Sequence, residues 1–136
     1  MKVIDNTGRT KVLGMVSLDA VNSWTKGQVG PITALTDANP ISIDASLSNN
    51  FSLLMTAVVG ATRKLNNPTN ISAGQSGMIT ITQSSTGTNA LTFDTYYKFA
   101  YGAAPTLSTT NNAVDCLAYY VISSTQILVT LLPGIS

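Results

Sequence analysis

Few side chains in this sequence could do chemistry, and their spacing decides what chemistry that would be. Ser76 stands in Ser72-Ala73-Gly74-Gln75-Ser76-Gly77, a serine held between glycines as a nucleophile on a strained turn would be. A nucleophile elbow reads G-x-S-x-G and opens into a helix. Here Gly77 follows the serine directly, and the next residues, Met78-Ile79-Thr80-Ile81-Thr82-Gln83, alternate like a strand. The chain has no histidine and no glutamate, so the usual base for a serine or cysteine nucleophile is missing. The commonest zinc ligand is missing with it. Cys116 is the single cysteine and can form neither a disulfide nor a thiolate cluster within one chain; it reads as a small core residue. The carboxylates are Asp5, Asp19, Asp37, Asp44, Asp94 and Asp115, each remote from the next in sequence, so a catalytic pair would have to be assembled by the fold. Asp37-Ala38-Asn39 resembles a fragment of a calcium loop without the remaining ligands and the closing acid. The expectation is a protein that is not an enzyme, with no cofactor and no metal, in which Ser76 is a turn residue.

Composition points towards assembly. Only 10% of the residues are charged and the net charge is +1, while 44% are hydrophobic. A nucleic-acid partner calls for a dense basic surface, so none is expected. A solvated monomer ordinarily carries about a quarter or more charged groups on its surface. Here Ser, Thr and Asn supply most of the polarity, which suits a subunit that spends its life against other subunits. The most apolar window, Phe51 to Ala61, is too short to cross a bilayer and contains Ser52 and Thr56. Residues 3–18 are interrupted by Asp5, Asn6, Arg9 and Lys11, so no signal-peptide core is read there, and a soluble protein without a membrane partner is expected.

The elements that must position these residues are strands. Ile41, Ile43, Ala45 and Leu47 alternate with Ser42, Asp44 and Ser46; Ile79 and Ile81 with Thr80 and Thr82; Leu91 and Phe93 with Thr92 and Asp94. Three runs, 51–59, 113–122 and 126–132, are apolar on both faces and predict strands covered on both sides by a second sheet or by another subunit. Asn49-Asn50, Asn66-Asn67-Pro68, 84–89, 108–112 and Ser123-Ser124-Thr125 carry turn chemistry. The expected fold is all-β, an antiparallel β-sandwich or jelly roll over residues 31–136, preceded by an arm over residues 1–30. In the arm, Leu18, Val21 and Trp24 have an approximate helical spacing after a possible cap at Ser17. Asp115 interrupts an apolar run and must be paired or placed at an edge, with Lys98 or Arg63 as candidate partners. Tyr96, Tyr97, Tyr101, Tyr119 and Tyr120 read as core and interface residues rather than as a sugar-binding platform.

One resemblance covers roughly half the chain. Asn67-Pro68-Thr69-Asn70, Gly74-Gln75-Ser76-Gly77, Gln83, Gly87, Leu91-Thr92-Phe93, Tyr97-Lys98-Phe99, Pro105-Thr106-Leu107-Ser108-Thr109, Ala113-Val114-Asp115 and the final tyrosine-rich strand occur in an order that resembles a β-module of tailed-bacteriophage structural proteins. That module is familiar in tail-fibre-like C-terminal domains and in small virion proteins. The resemblance implies a homotrimeric component of the virion and carries over no active site. Two roles follow from it. The first is a capsid decoration, or cement, protein on the capsid exterior, bound to the major capsid protein. The second is a tail-fibre tip or receptor-binding module that contacts a host-surface glycan or protein. A fibre needs a shaft before the module, and Met1 lies only about thirty residues from the sandwich, so decoration is the expectation. The candidate capsid contacts are Lys2, Arg9, Lys11 and Lys26, which outnumber Asp5 and Asp19 in the arm, together with Trp24, the only tryptophan.

Overall fold

The structure is a computed structural model that describes residues 2–4, 10–12, 27, 29–56 and 60–135. Strands β1 (Lys2–Ile4) and β2 (Thr10–Val12) pair antiparallel, with Val3 opposite Lys11. The expected helical stretch around Leu18 to Trp24 lies outside the described residues. Then come β3 (Ile32–Leu35), β4 (Asn50–Leu54), β5 (Thr62–Leu65), β6 (Ser76–Thr82), β7 (Ala90–Phe93), β8 (Tyr97–Lys98), β9 (Val114–Ser123) and β10 (Gln126–Leu132).

From Ile32 to Phe93 the chain winds three times between two layers. The first turn runs through β3 and then Ile41–Asp44, the second through β4 and β5, and the third through β6 and β7. In one layer β3, β4 and β6 lie parallel. In the other, Ile41 bridges Leu65, Asp44 bridges Thr69, and β5 pairs with β7, all parallel. The winding then stops. β9 adds antiparallel to β6, and β10 returns antiparallel to β9 after a tight turn at Ser124-Thr125. β8 closes the sheet by pairing parallel with β10, giving the order β3-β4-β6-β9-β10-β8.

The fold is all-β and β-sandwich-like, as the alternation predicts, but the expected antiparallel pairing is corrected. Only β1–β2, β6–β9 and β9–β10 are antiparallel among the described pairs. Alternation has the same period of two in both kinds of sheet, so it says nothing of direction. Direction follows from the connections: parallel neighbours need a long crossover, and here each crossover is itself a strand of the opposite layer. The segment 41–47 forms two isolated bridges rather than a full strand. Ile41, Ile43 and Ala45 are buried as expected, whereas Leu47 is exposed because the chain turns at Ala45-Ser46.

Between the layers, Phe51 and Leu53 of β4, Ile79 and Ile81 of β6, Leu117 and Val121 of β9, and Ile127 and Val129 of β10 meet Ile41, Ile43, Leu65 and Leu91. Each such side chain contributes about 1.5–3 kcal/mol when fully withdrawn from water. Register locks the arrangement: Phe51, Ile79, Leu117 and Leu131 stand in one row across four strands. Ser76 opens β6 opposite Tyr120 and is therefore a strand residue rather than part of the turn. The two glycines beside it have different causes. Gly74 has φ +87, a left-handed conformation that disfavours a Cβ, whereas a Cβ on Gly77 would lie 1.7 Å from the backbone oxygen of Asn49.

Candidate functional site

Among the described residues, Arg63, Asp37 and Asp115 are occupied in holding loops. Arg63, at an inward position of β5, donates from Nε to Asp37 Oδ1 at 2.7 Å and from Nη2 to Asp37 Oδ2 at 2.8 Å. Its Nη1 donates to Asn89 Oδ1 at 2.9 Å, and Nη2 also reaches Thr56 Oγ1 at 3.1 Å. Asp37 Oδ2 accepts from the backbone N–H and the hydroxyl of Thr56 at 2.6 and 2.7 Å. Asn89 Nδ2 donates to Ser84 Oγ at 2.9 Å, and Gln83 Nε2 donates to the backbone oxygen of Asn89 at 2.6 Å. Burial alone would raise the Asp37 carboxyl; hydrogen bonds from Arg63 and Thr56 outweigh it and hold its pKa at about 2. This cluster ties the ends of β4, β5 and β6 together, with every fork of the guanidinium engaged.

Asp115 has a similar duty, with partners other than those expected. It is fully buried and pairs with neither Lys98 nor Arg63. It accepts from the Ser108 backbone N–H at 2.8 Å, the Ser108 hydroxyl at 2.7 Å and the Gly134 N–H at 2.8 Å. A carboxylate can satisfy itself on backbone donors, and these are supplied from seven and nineteen residues away. No buried side-chain polar atom is left without a partner among the described residues.

The remaining candidates are likewise structural. Cys116 is buried, and burial pushes its thiol upward, away from the reactive thiolate. Tyr97 is buried with its hydroxyl donating to Asn66 O at 2.9 Å, and burial raises its pKa well above the usual range. Tyr119 donates to Asn49 O at 2.8 Å. The tyrosines therefore do not converge on one platform: Tyr97 is in the core, Tyr120 is on the opposite face of the sheet, and Tyr101 is fully exposed. Among the described residues no group of three His, Cys, Asp or Glu could hold a metal ion, and no helix is long and apolar enough to cross a membrane.

Of the candidate capsid contacts, Lys2 lies in β1 and Lys11 in β2, where Lys2 registers with Val12. Arg9, Trp24 and Lys26 lie outside the described residues.

What the structure does expose is the outer face of the six-stranded sheet. Along β9 and β10, the alternation that sends Leu117, Val121, Ile127 and Val129 inward sends Ala118, Tyr120, Ile122, Leu128 and Leu132 outward. Tyr120, Ile122, Leu128 and Leu132 are each 46–49% exposed, Met78 of β6 is 44% exposed, and Ile32 and Leu54 on β3 and β4 reach 69% and 67%. Register sets these side by side: Ile32, Asn50, Met78, Ala118 and Thr130 form one row, and Ser76, Tyr120, Leu128 and Lys98 the next. Lys98, on the edge strand, is the one charged residue on this face of the described strands, and its Nζ donates to Thr95 O at 2.7 Å. A groove of about 410 Å³ runs between Ala118, Tyr120, Leu128 and Thr130 and the turn at Ala100. The sequence reads these runs correctly as apolar on both faces. The described chain buries the inner face, while of the outward residues of β9 it covers Cys116 and leaves Tyr120 and Ile122 about half exposed.

No protein-family profile, no curated protein and no solved structure matches this chain.

Proposed function

We propose that this chain is a structural protein of a tailed-bacteriophage virion, a homotrimeric decoration protein seated on the capsid exterior against the major capsid protein. The observation that carries the reading is the bare, nearly uncharged outer face of the sheet, which suits a subunit interface rather than water. The rest of the molecule agrees with a scaffold. Its buried charges, Asp37, Arg63 and Asp115, are consumed in pinning loops and present no acid, base or nucleophile to a substrate. The ordered likeness of residues 65–134 to phage particle modules supplies the kind of assembly. In this reading residues 1–30, with Lys2, Arg9, Lys11, Trp24 and Lys26, contact the shell.

A second reading, a tail-fibre tip, draws on one specific feature. A cleft of about 490 Å³ beside β3 is lined by Ser42, Asp44, Asn66 and Asn67 together with the apolar Leu35 and Leu47, a mixed polar and apolar surface suited to a host-surface glycan. Quantitative mass spectrometry of particles of the encoding phage separates the two. Copy number on the scale of the shell supports decoration, copy number on the scale of the tail supports the fibre tip, and absence from particles overturns both. Deleting residues 1–26 is expected to leave a folded protein that no longer binds shells.

A further inference from the structure

We infer that the outer face of the six-stranded sheet, centred on the groove between β9, β10 and the Ala100–Gly102 turn, is where a second copy of this chain docks. The inference deepens the assembly reading above and rests on it only for the number of copies.

The face is large enough. Each strand residue occupies about 16 Å² of sheet plane, from a rise near 3.4 Å and a strand spacing near 4.8 Å. The six strands thus present a plane of roughly 550 Å² before side-chain relief is counted, close to the ~800 Å² that each partner contributes to a standard interface. Apolar side chains alternate there with Asn50, Ser76, Thr80 and Thr130, and an exposed patch on the scale of a few hundred Å² is often functional on a folded protein.

The chemistry of the face selects the occupant. Nucleic acid or an anionic surface would need cations, and Lys98 at the edge is already turned back onto Thr95. A glycan would need a concentration of donors and acceptors, whereas this face offers Met78, Tyr120, Ile122, Leu128 and Leu132 with scattered hydroxyls. A neutral apolar surface finds its match in another neutral surface, and a chain with 10% charged residues carries such surface itself. Tyr and Met are also the residue types enriched at the centres of protein interfaces, where Lys and Glu are depleted.

The same copy supplies a complementary projection. Tyr101, in the turn that walls the groove, is fully exposed and held at φ 56, a left-handed conformation unfavourable for a side chain with a Cβ. An aromatic held out on such a turn serves as an anchor for a neighbour's groove. Knob and groove adjoin at one turn, so each copy carries both halves of the contact, and the number of copies comes from the assembly reading above.

The test measures mass by light scattering on the full chain. The unmodified protein is expected to be a trimer, and the double variant Tyr120→Lys with Leu128→Lys a folded monomer by circular dichroism. A folded double variant that stays assembled overturns the proposal, as does an unmodified protein that is monomeric. Two measurements do not depend on how the double variant folds. Tyr101→Ala, at a fully exposed side chain, is expected to weaken association roughly tenfold or more; unchanged association overturns the anchor. In the unmodified protein, Met78 is expected to resist peroxide as slowly as buried Met55; oxidation at the rate of a free methionine overturns burial of the face. The outcomes also separate this inference from the particle reading. A trimer indifferent to all three changes removes the face and leaves the virion role. Loss of assembly in a protein absent from particles does the reverse.

Discussion

The two faces of the six-stranded sheet are built from the same strands and behave oppositely. On the inner face, Phe51, Leu53, Ile79, Leu117 and Val121 are almost wholly withdrawn from water, and the polar intruders Arg63 and Asp115 at the margins of that core have a partner for each bonding group described above. On the outer face, Tyr120, Ile122, Leu128 and Leu132, side chains of similar type one residue along, remain about half exposed. The inner face explains why the chain folds. The outer face is the surface that we propose a second copy covers. Leu117 and Leu128 make the contrast concrete: two leucines of one hairpin, the first fully buried and the second 48% exposed.

The sharpest break of the core is at the Arg63–Asp37 ion pair, at its margin. Arg63→Met leaves Asp37 buried without its counter-charge and is expected to cost about 3–5 kcal/mol in chemical denaturation. A loss below about 1 kcal/mol would mean that Asp37 is solvated after all.

Next in size is the leucine pair. Leu117→Ala is expected to cost about 2–5 kcal/mol, as transfer and cavity terms add. Leu128→Ala is expected to cost less than about 1 kcal/mol in the stability of a single subunit while weakening association. Equal costs would erase the distinction between the faces.

These contrasts were only partly legible in the sequence. β6 could be read from its alternation, and β9 and β10 from apolar runs bounded by turn residues, down to the Ser124-Thr125 connection. β5 could not, because Thr62-Arg63-Lys64-Leu65 shows one apolar residue in four, and Arg63 at an inward position looks like a surface residue until Asp37 is brought beside it. The partners of Asp115 were hidden for a related reason. Ser108 and Gly134 contribute backbone N–H groups, which any residue but proline carries and no sequence pattern marks. Parallel winding was hidden because period two is common to both sheet types. The doubly apolar runs were visible, but which side stays bare depends on where the crossovers lie.

The ion pair also predicts how the inner face responds to acid. Asp37 has a folded pKa of about 2, below its ordinary value of 3.8, so its contribution to stability is fully present above that ordinary value. It is lost as pH falls towards 2. Thermal unfolding from pH 6 down to 2 should show this decline, and Arg63→Met should flatten it. A decline of the same depth in the variant would assign the acid sensitivity to other carboxylates.

The smallest effect is expected at the residue that first looks catalytic. Ser76 is exposed at the start of β6 with no histidine in the chain to activate it, so Ser76→Ala should change stability by less than about 0.5 kcal/mol and leave assembly intact. Loss of particle binding by the folded variant would reopen a direct role for this serine.

The claim beneath both faces is that the folded chain is not its own final structure. The most direct measurement is the mass of the unmodified protein by sedimentation velocity at micromolar concentration. A single trimeric species is predicted, its apolar sheet faces buried between subunits; a monodisperse monomer would contradict the account.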